Sequence, residues 1–401
     1  MGTDVITEAM EQYIANQEMS GGALIVRKND QIVYDHTWGY ADIANKLPVT
    51  DRTIYRMASM TKVVVGVAVM KMVEEGKIGL DDPVSKYLPA YANLRVENDP
   101  RYHFQENGSK LVMLYRVLTF RMEKVRSVPA DRQITIRDLL SHASGLEQGI
   151  AGLIAMTKRS PKDTLEERVD KYSRFVLDFQ PGTKATYSPC AGFDILGYIL
   201  QTVSGKELGQ YLKETVFDPL EMKDAAFKLT EAQKTHLART YIRKNEKLVD
   251  VTGTKKDLEG ILRLEKDTDY VAGCGGLYCT AKDYEHLARM LCNQGMYNGK
   301  QILKPDTVAL MHTEAQEKHL EAEPGQVWGL SVRIRQDPVK AESACTAGTY
   351  GWSGAFGTHF FVSPEDDLEA VFVTCRADIG GSASYISKRV EELVFGLFAN
   401  H

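Results

Sequence analysis

The sequence predicts an α/β (α+β) fold in which an antiparallel sheet, built from both chain ends and flanked by helices, encloses an inserted, mainly helical region. Three observations carry this expectation. β-rich runs cluster near the two ends of the chain, turn residues join them as hairpins, and the stretch between them is helical and loop-like. The division expected is residues 1–80 and 320–401 for the sheet region and 81–319 for the helical one, within a single unit spanning 1–401.

The elements follow in order. Residues 4–17 have the composition of a helix. Ala23–Arg27 and Gln31–Tyr34 form a hairpin about Asn29-Asp30. A helix opens near Ala58 and closes at Gly76, a C-terminal capping glycine. Its residues Val63, Val64, Val65, Val67, Ala68, Val69 and Met70 are apolar on nearly every side, so it is expected to be buried. Thr135 and Asp138 make a capping-box variant at the start of a short helix. Ala191–Val203 is apolar at helical spacing and closes at Gly205, and Ala281–Cys292 is a further helix after the loop Gly273-Cys274-Gly275-Gly276. Near the C-terminus Gly329–Arg335 alternates as a strand. Thr358–Val362 and Leu368–Thr374 flank the turn Pro364-Glu365-Asp366-Asp367, and Ser384–Ala399 is a final amphipathic helix.

Composition narrows the function. Hydrophobic residues are 43% and charged residues 26%, ordinary for a globular protein. Lys and Arg number 49 against 54 Asp and Glu, a net charge of −5, which leaves no basic surplus for nucleic acid. The longest apolar stretch, Val63–Val73, is broken by Gly66 and Lys71 and is too short for a membrane span. The N-terminal residues carry Asp4, Glu8 and Glu11 and no signal pattern, so a cytoplasmic location is expected. The six cysteines form no C-x-x-C pair and are expected as free thiols. The histidines lack zinc-site spacing, so neither a metal nor any other cofactor is expected.

There is no G-x-S-x-G elbow, H-E-x-x-H, Walker loop or G-x-G-x-x-G. The chain does hold an S-x-x-K tetrad, Ser59-Met60-Thr61-Lys62, at the opening of the apolar helix. Ser and Lys at i and i+3 share a helix face. Burial and the positive end of the helix dipole are expected to lower the lysine's pKa, which would let a neutral amine take the serine proton. Two later segments extend the pattern: Thr186-Tyr187-Ser188-Pro189-Cys190 before the helix at 191, and Gly351-Trp352-Ser353-Gly354-Ala355 before a strand.

This order of motifs resembles the serine β-lactamase and penicillin-binding-protein superfamily. The nearest likeness is to its class C branch, which includes family VIII carboxylesterases and D-aminopeptidases. Tyr55–Lys62, Ile134–Leu146 and Gly275-Gly276-Leu277-Tyr278 are similar to the same branch, and the resemblance runs from about residue 8 to 398. It implies the β-lactamase/transpeptidase fold, with Ser59 as the acylated nucleophile and Lys62 assisting proton removal. Tyr187 would be the general base that passes the proton to the leaving group, although a tyrosine with an ordinary pKa of ~10 needs help from Lys62 to do so. The oxyanion hole would be the backbone N–H groups of Ser59 and Ala355. Trp352, Ser353, Gly354, Ser188 and His359 would contact substrate.

Two positions depart from the β-lactamase pattern. Pro189 stands where the second motif usually has Asn, and Trp352 where the third usually has Lys. The expectation is therefore a serine hydrolase of small uncharged esters. A D-amino-acid peptidase or amidase, a weak β-lactamase, or a non-catalytic penicillin-type binding protein are the alternatives. The partner implied is a small-molecule ester or amide, and the oligomeric state is left open. His142 is read as part of a structural turn, and His359 as a strand histidine that either faces solvent or reaches the site. Arg376 is read as a surface ion pair or a replacement for the missing cation. The basic run Lys244, Lys247, Lys255 and Lys256 is read as a solvated face.

Overall fold

Asn29 and Asp30 both adopt positive φ (49° and 58°), the geometry of the tight turn that matches strand twist, and the first hairpin forms around them. In the computed structural model its strands are β1 (Gly21–Lys28) and β2 (Gln31–Asp42), followed by the short β3 (Leu47–Pro48). The C-terminal end of the chain supplies β4 (Glu321–Glu323), β5 (Gln326–Trp328), β6 (Arg333–Arg335), β7 (Tyr350–Ser353), β8 (His359–Ser363) and β9 (Leu368–Thr374). These nine strands form one sheet in the order β4-β5-β6-β7-β8-β9-β1-β2-β3, and each neighbouring pair is antiparallel. The structure describes residues 2–99, 125–147, 162–258, 270–381 and 384–400, with 115, 118, 119, 160 and 260.

β1 joins the two chain ends, pairing β2 on one side and β9 on the other. Its side chains alternate between two cores. Ala23 and Ile25 enter the larger one, and Leu24 and Val26 the smaller. β9 does the same, with Val371 and Val373 on the first face and Ala370 and Phe372 on the second. We call the face on the larger core the front. The back face is covered by α1 (Asp4–Ala15) and the C-terminal helix α6 (Tyr385–Phe398), through Ile6 and Met10 and through Val390, Val394 and Phe395.

On the front lies α2 (Thr61–Glu74), in which eleven residues from Thr61 to Met72 are buried, as its all-round apolar character predicts. Gly66 lets it sit close to the sheet, since a Cβ there would come within 1.9 Å of Ser331 Oγ. The same approach explains a departure from the sequence reading. Gly329–Arg335 is not one strand. The chain reverses between β5 and β6, with Ser331 at φ 68°, and Ser331 N–H donates to Leu140 O. Other helices on the front include α3 (Ile136–Leu140) with its Thr135–Asp138 capping box, α4 (Ala191–Ser204) ending at Gly205 with φ 67°, and α5 (Ala281–Cys292). α5 packs on the sheet, Tyr284 against Phe360, although it lies in the stretch read as the helical insert. The expected loops 95–132 and 245–270 fall partly outside the described residues. No described helix is long and apolar enough to cross a membrane.

Candidate active site

Ser59 sits in a single 3₁₀ turn, Ala58–Met60, that leads into α2. The residue before it, Ala58, has φ 45°, a left-handed conformation that an alanine adopts only when its surroundings impose it. Here they do. Met57 N–H donates to Leu277 O, Thr61 Oγ1 donates to Ala58 O at 2.6 Å, and Leu277 N–H donates to Thr61 Oγ1 at 3.0 Å. The turn is thereby stapled to the Gly275–Tyr278 segment, and Ser59 Oγ is presented at the end of a buried helix.

Three side chains from two distant segments meet there. Tyr187 Oη lies 2.6 Å from Ser59 Oγ, and Lys62 Nζ lies 3.3 Å from it. Lys62 also donates to the carbonyls of Pro189 at 2.8 Å and Cys274 at 2.6 Å. An ammonium has three donors and no acceptor, and all three are used. Burial works against the charge, but the Tyr187 oxygen and the neighbouring Cys274 and Cys190 thiols outweigh it, and the group is held above its ordinary value. This corrects the expectation that burial and the helix dipole would lower the lysine's pKa. Burial is opposed first by the Tyr187 oxygen, which a distant segment of the sequence supplies.

Those carbonyls are themselves fixed. Glu147, at φ 66°, turns its carboxylate onto the first N–H groups of α4, accepting from Cys190 at 2.7 Å and Ala191 at 2.5 Å. Ser188 Oγ accepts from Gly192 N–H at 3.2 Å. Asp194 accepts from Cys274 N–H and from the hydroxyls of Tyr172 and Tyr270. Tyr187 is wrapped in rings: His142 at 4.9 Å, Trp352 at 5.1 Å and Trp328 at 6.2 Å between centroids, with Lys62 Nζ 5.1 Å from its own centroid. The hairpin between β7 and β8 closes the site. Gly354 N–H donates to Thr358 O, and a Cβ on Gly354 would lie 2.2 Å from Met57 O. Among the described residues Ala355 N–H has no protein partner, and Ala355 is exposed.

The Beta-lactamase family profile matches residues 6–394. The chain belongs to that family. Protein Rv1367c of Mycobacterium tuberculosis is 29% identical over 370 residues, which cover 88% of this chain and 85% of that protein. A putative D-alanyl-D-alanine carboxypeptidase of Escherichia coli is 26% identical, over 91% of this chain and 81% of its own. Among solved structures, EstCE1, described as a hydrolase with promiscuous acyltransferase activity, superposes with a TM-score of 0.77 at 24% identity over 98% of both chains. Simvastatin synthase (LovD) from Aspergillus terreus does so with 0.77 at 19% identity over 99% of both. The fold is that of the serine β-lactamases and transpeptidases, and the family marks the chain as a serine hydrolase of that superfamily.

Within this β-lactamase-family site several expected residues point elsewhere. Ser353 and His359 do not line the front. Both are buried on the back of the sheet, with Ser353 Oγ 2.7 Å from His359 Nδ1. Strand alternation accounts for this, since Trp352 takes the front and its neighbour the back. His359 is therefore neither solvent-facing nor in the site. The Ser188 side chain is buried and accepts from Gly192 N–H at the start of α4. His142 accepts from Ser188 N–H through Nδ1 at 3.0 Å; burial and then the Lys62 charge hold its imidazole well below the ordinary value, so it is a neutral structural group. Arg376 makes an ion pair, as read, with its own side chain buried and its partner Asp378 exposed. It pairs with Asp378 at 2.9 Å and donates to Glu18 O and Tyr385 Oη, which leaves it no role as the missing cation. All six cysteines are free thiols.

The sequence reading missed Trp328, Glu147 and Asp194. Trp328 ends β5, a strand that lies just before the stretch read as Gly329–Arg335. Glu147 and Asp194 act on backbone N–H groups, for which a side-chain motif carries no signal.

Proposed function

We propose that the protein hydrolyses small uncharged esters through an acyl-enzyme on Ser59. The observation that carries this reading is the convergence of Ser59, Lys62 and Tyr187 within hydrogen-bond distance. Tyr187 acts as the phenolate: as Ser59 Oγ attacks the ester carbonyl, its proton passes to the Tyr187 oxygen. Lys62 stays an ammonium and stabilises the negative charge on that oxygen until the proton arrives. The carbonyl oxygen, now an oxyanion, is met by the Ser59 and Ala355 N–H groups. Tyr187 then gives its proton to the alkoxy leaving group as the carbon–oxygen bond breaks. A water molecule repeats the cycle and releases the acid.

The substrate class follows from what faces Tyr187. Trp352 and Trp328 meet edge to face at 4.6 Å, an apolar wall where the β-lactamase pattern puts a lysine. An ammonium there would give a substrate carboxylate a charge-assisted hydrogen bond worth ~1.5–3 kcal/mol, roughly a 10- to 150-fold effect on kcat/KM. Arg333 lies 5.2 Å from the Trp352 ring, but Glu323 at 2.9 Å neutralises it. A second reading, a peptidase of D-amino-acid substrates, draws on the name of the E. coli relative.

The test compares kcat/KM for p-nitrophenyl butyrate, a chromogenic cephalosporin and a D-alanyl anilide, in wild type and Ser59→Ala. The ester is expected to be favoured, and Ser59→Ala to retain less than about a tenth of wild-type activity, since loss of a nucleophile costs far more than that. A cephalosporin or D-alanyl substrate turned over as fast as the ester would overturn the substrate assignment. An active, folded Ser59→Ala would overturn the mechanism.

A further inference from the structure

The last paired residues of β7 and β8, before the hairpin that carries Gly354 and Ala355, are Ser353 and His359. Both turn to the back of the sheet and are buried. Ser353 Oγ lies 2.7 Å from His359 Nδ1, and His359 Nε2 lies 3.0 Å from Glu391 Oε1 on α6. Arg335 on β6 closes the chain with an ion pair to the same Glu391 oxygen at 2.8 Å. Directions follow from chemistry. A carboxylate only accepts, so Nε2 carries the hydrogen and, in the neutral ring, Nδ1 accepts the Ser353 hydroxyl. Burial opposes the charge on Glu391, but Arg335 and the His359 hydrogen bond hold its carboxyl down at about 2.

The trio has the order of a Ser-His-acid triad, yet it cannot act as one. Ser353 is 3% exposed, on the face of the sheet that α6 covers. A buried, fully bonded polar group gains little stability over apolar packing, and the best-attested use of one is to fix register. The register at stake here is that of the hairpin. Its front is pinned to the nucleophile turn, where Thr358 Oγ1 donates to Met57 O at 3.3 Å and Gly354 has no room for a Cβ. Its back is pinned only one residue away, at Ser353.

We propose that Ser353, His359 and Glu391 are positioning residues that hold the β7–β8 hairpin from behind and so set the distance between the Ala355 and Ser59 N–H groups. The inference rests on the reading of those two amides as the oxyanion hole. A displacement of the hairpin by a fraction of an ångström weakens the hydrogen bond to the developing oxyanion more than any contact to the ground-state ester.

The experiment measures kcat and KM for p-nitrophenyl butyrate on the full chain, per active site titrated with a fluorophosphonate, in Ser353→Ala, His359→Phe and the double variant. Removing the Ser353 hydroxyl changes almost no volume. Ser353→Ala is expected to lower kcat per titrated site roughly tenfold, below the ~10²–10³ of a deleted oxyanion donor, with KM within about twofold. Phosphonylation should slow by the same factor. The double variant is expected to be no worse than its weaker parent, as for residues that act as a unit. A purely structural role would reduce the titrated fraction and leave kcat per site alone. That outcome, or multiplicative losses, overturns the inference. If His359→Phe does not fold, Ser353→Ala alone decides. Activity surviving in Ser59→Ala would instead sink the reading on which the inference rests.

Discussion

The two faces of the sheet spend the same kinds of side chain on different ends. On the front, Tyr187, Lys62 and Ser59 meet beside Trp328 and Trp352. On the back, Ser353, His359 and Glu391 make a hydrogen-bonded chain that looks more like a familiar catalytic trio than the front does. What separates them is access. The front trio lies where Tyr187 is half-buried and the neighbouring Ala355 is exposed, whereas the back trio is sealed under α6. Polar geometry alone therefore does not identify an active site. The motif Trp352-Ser353-Gly354 shows why: alternation along one strand sends its aromatic residue to the face that holds Tyr187 and its hydroxyl to the opposite face.

The sharpest way to break this comparison is at the front. Lys62→Ala or Tyr187→Phe alone is expected to cost on the order of 10²–10⁴ in kcat/KM, the range of general acid–base effects. The double variant is expected to cost little more, because the ammonium matters only through the phenol oxygen beside it. Multiplicative losses in a double-mutant cycle would show that the two act separately. Because Lys62 is held above its ordinary 10.5, no fall in activity below about pH 10 is expected from its deprotonation. An alkaline limb near neutrality that disappears in a Lys62 variant would contradict the ammonium role.

A smaller effect tests the seam between the faces. Gly354→Ala places a methyl 2.2 Å from Met57 O and Thr358 Oγ1, and one of these must move. A displacement near 1 Å costs on the order of 10² in rate when it separates reacting groups. The expected result is a loss of about that size in kcat, with fluorophosphonate labelling of Ser59 slowed in parallel. Wild-type kcat in Gly354→Ala would mean that the hairpin is not held against the nucleophile turn.

Much of this was legible in the sequence, for local reasons. Asn29-Asp30, Thr135 with Asp138, and Gly205 each state their backbone conformation in their side chains, and each element formed where its turn or cap predicts. The three motifs were legible through a family resemblance. The charge of Lys62 was not, because the groups that outweigh its burial, the Tyr187 oxygen first and then Cys274 and Cys190, come from segments that no local pattern places beside it. The reversal at Ser331 was hidden for a different cause. Alternation continues through it, and the turn is visible only in three dimensions, in the antiparallel pairing of β5 with β6 and the close approach to Gly66. The direction of Ser353 and His359 was available in principle, since a front-facing Trp352 implies a back-facing neighbour. What the sequence could not supply was Glu391, the partner on α6 that makes a buried histidine tolerable.

Glu391 gives the effect expected to be smallest in turnover, and it sharpens the comparison on the back face. Glu391→Gln keeps an oxygen that accepts from His359 Nε2, so the hairpin should stay pinned and kcat should fall less than in Ser353→Ala. Stability is the more sensitive readout. The folded carboxyl stands at about 2 against an ordinary 4.5, because Arg335 and His359 outweigh the cost of burial. A depressed acid contributes stability that is fully present above its unfolded value and is lost as pH falls toward its folded value. The window is therefore from about pH 4.5 down to about pH 2, and the depression corresponds to about 3 kcal/mol. At pH 7 the variant, left with an uncompensated Arg335, is expected to unfold at lower urea than wild type. As pH falls through the window the wild type loses this contribution and the two midpoints converge. A gap that stays constant from pH 7 to pH 2.5 would mean that the Glu391 charge contributes nothing and that the side chain serves only to fill space beneath the sheet.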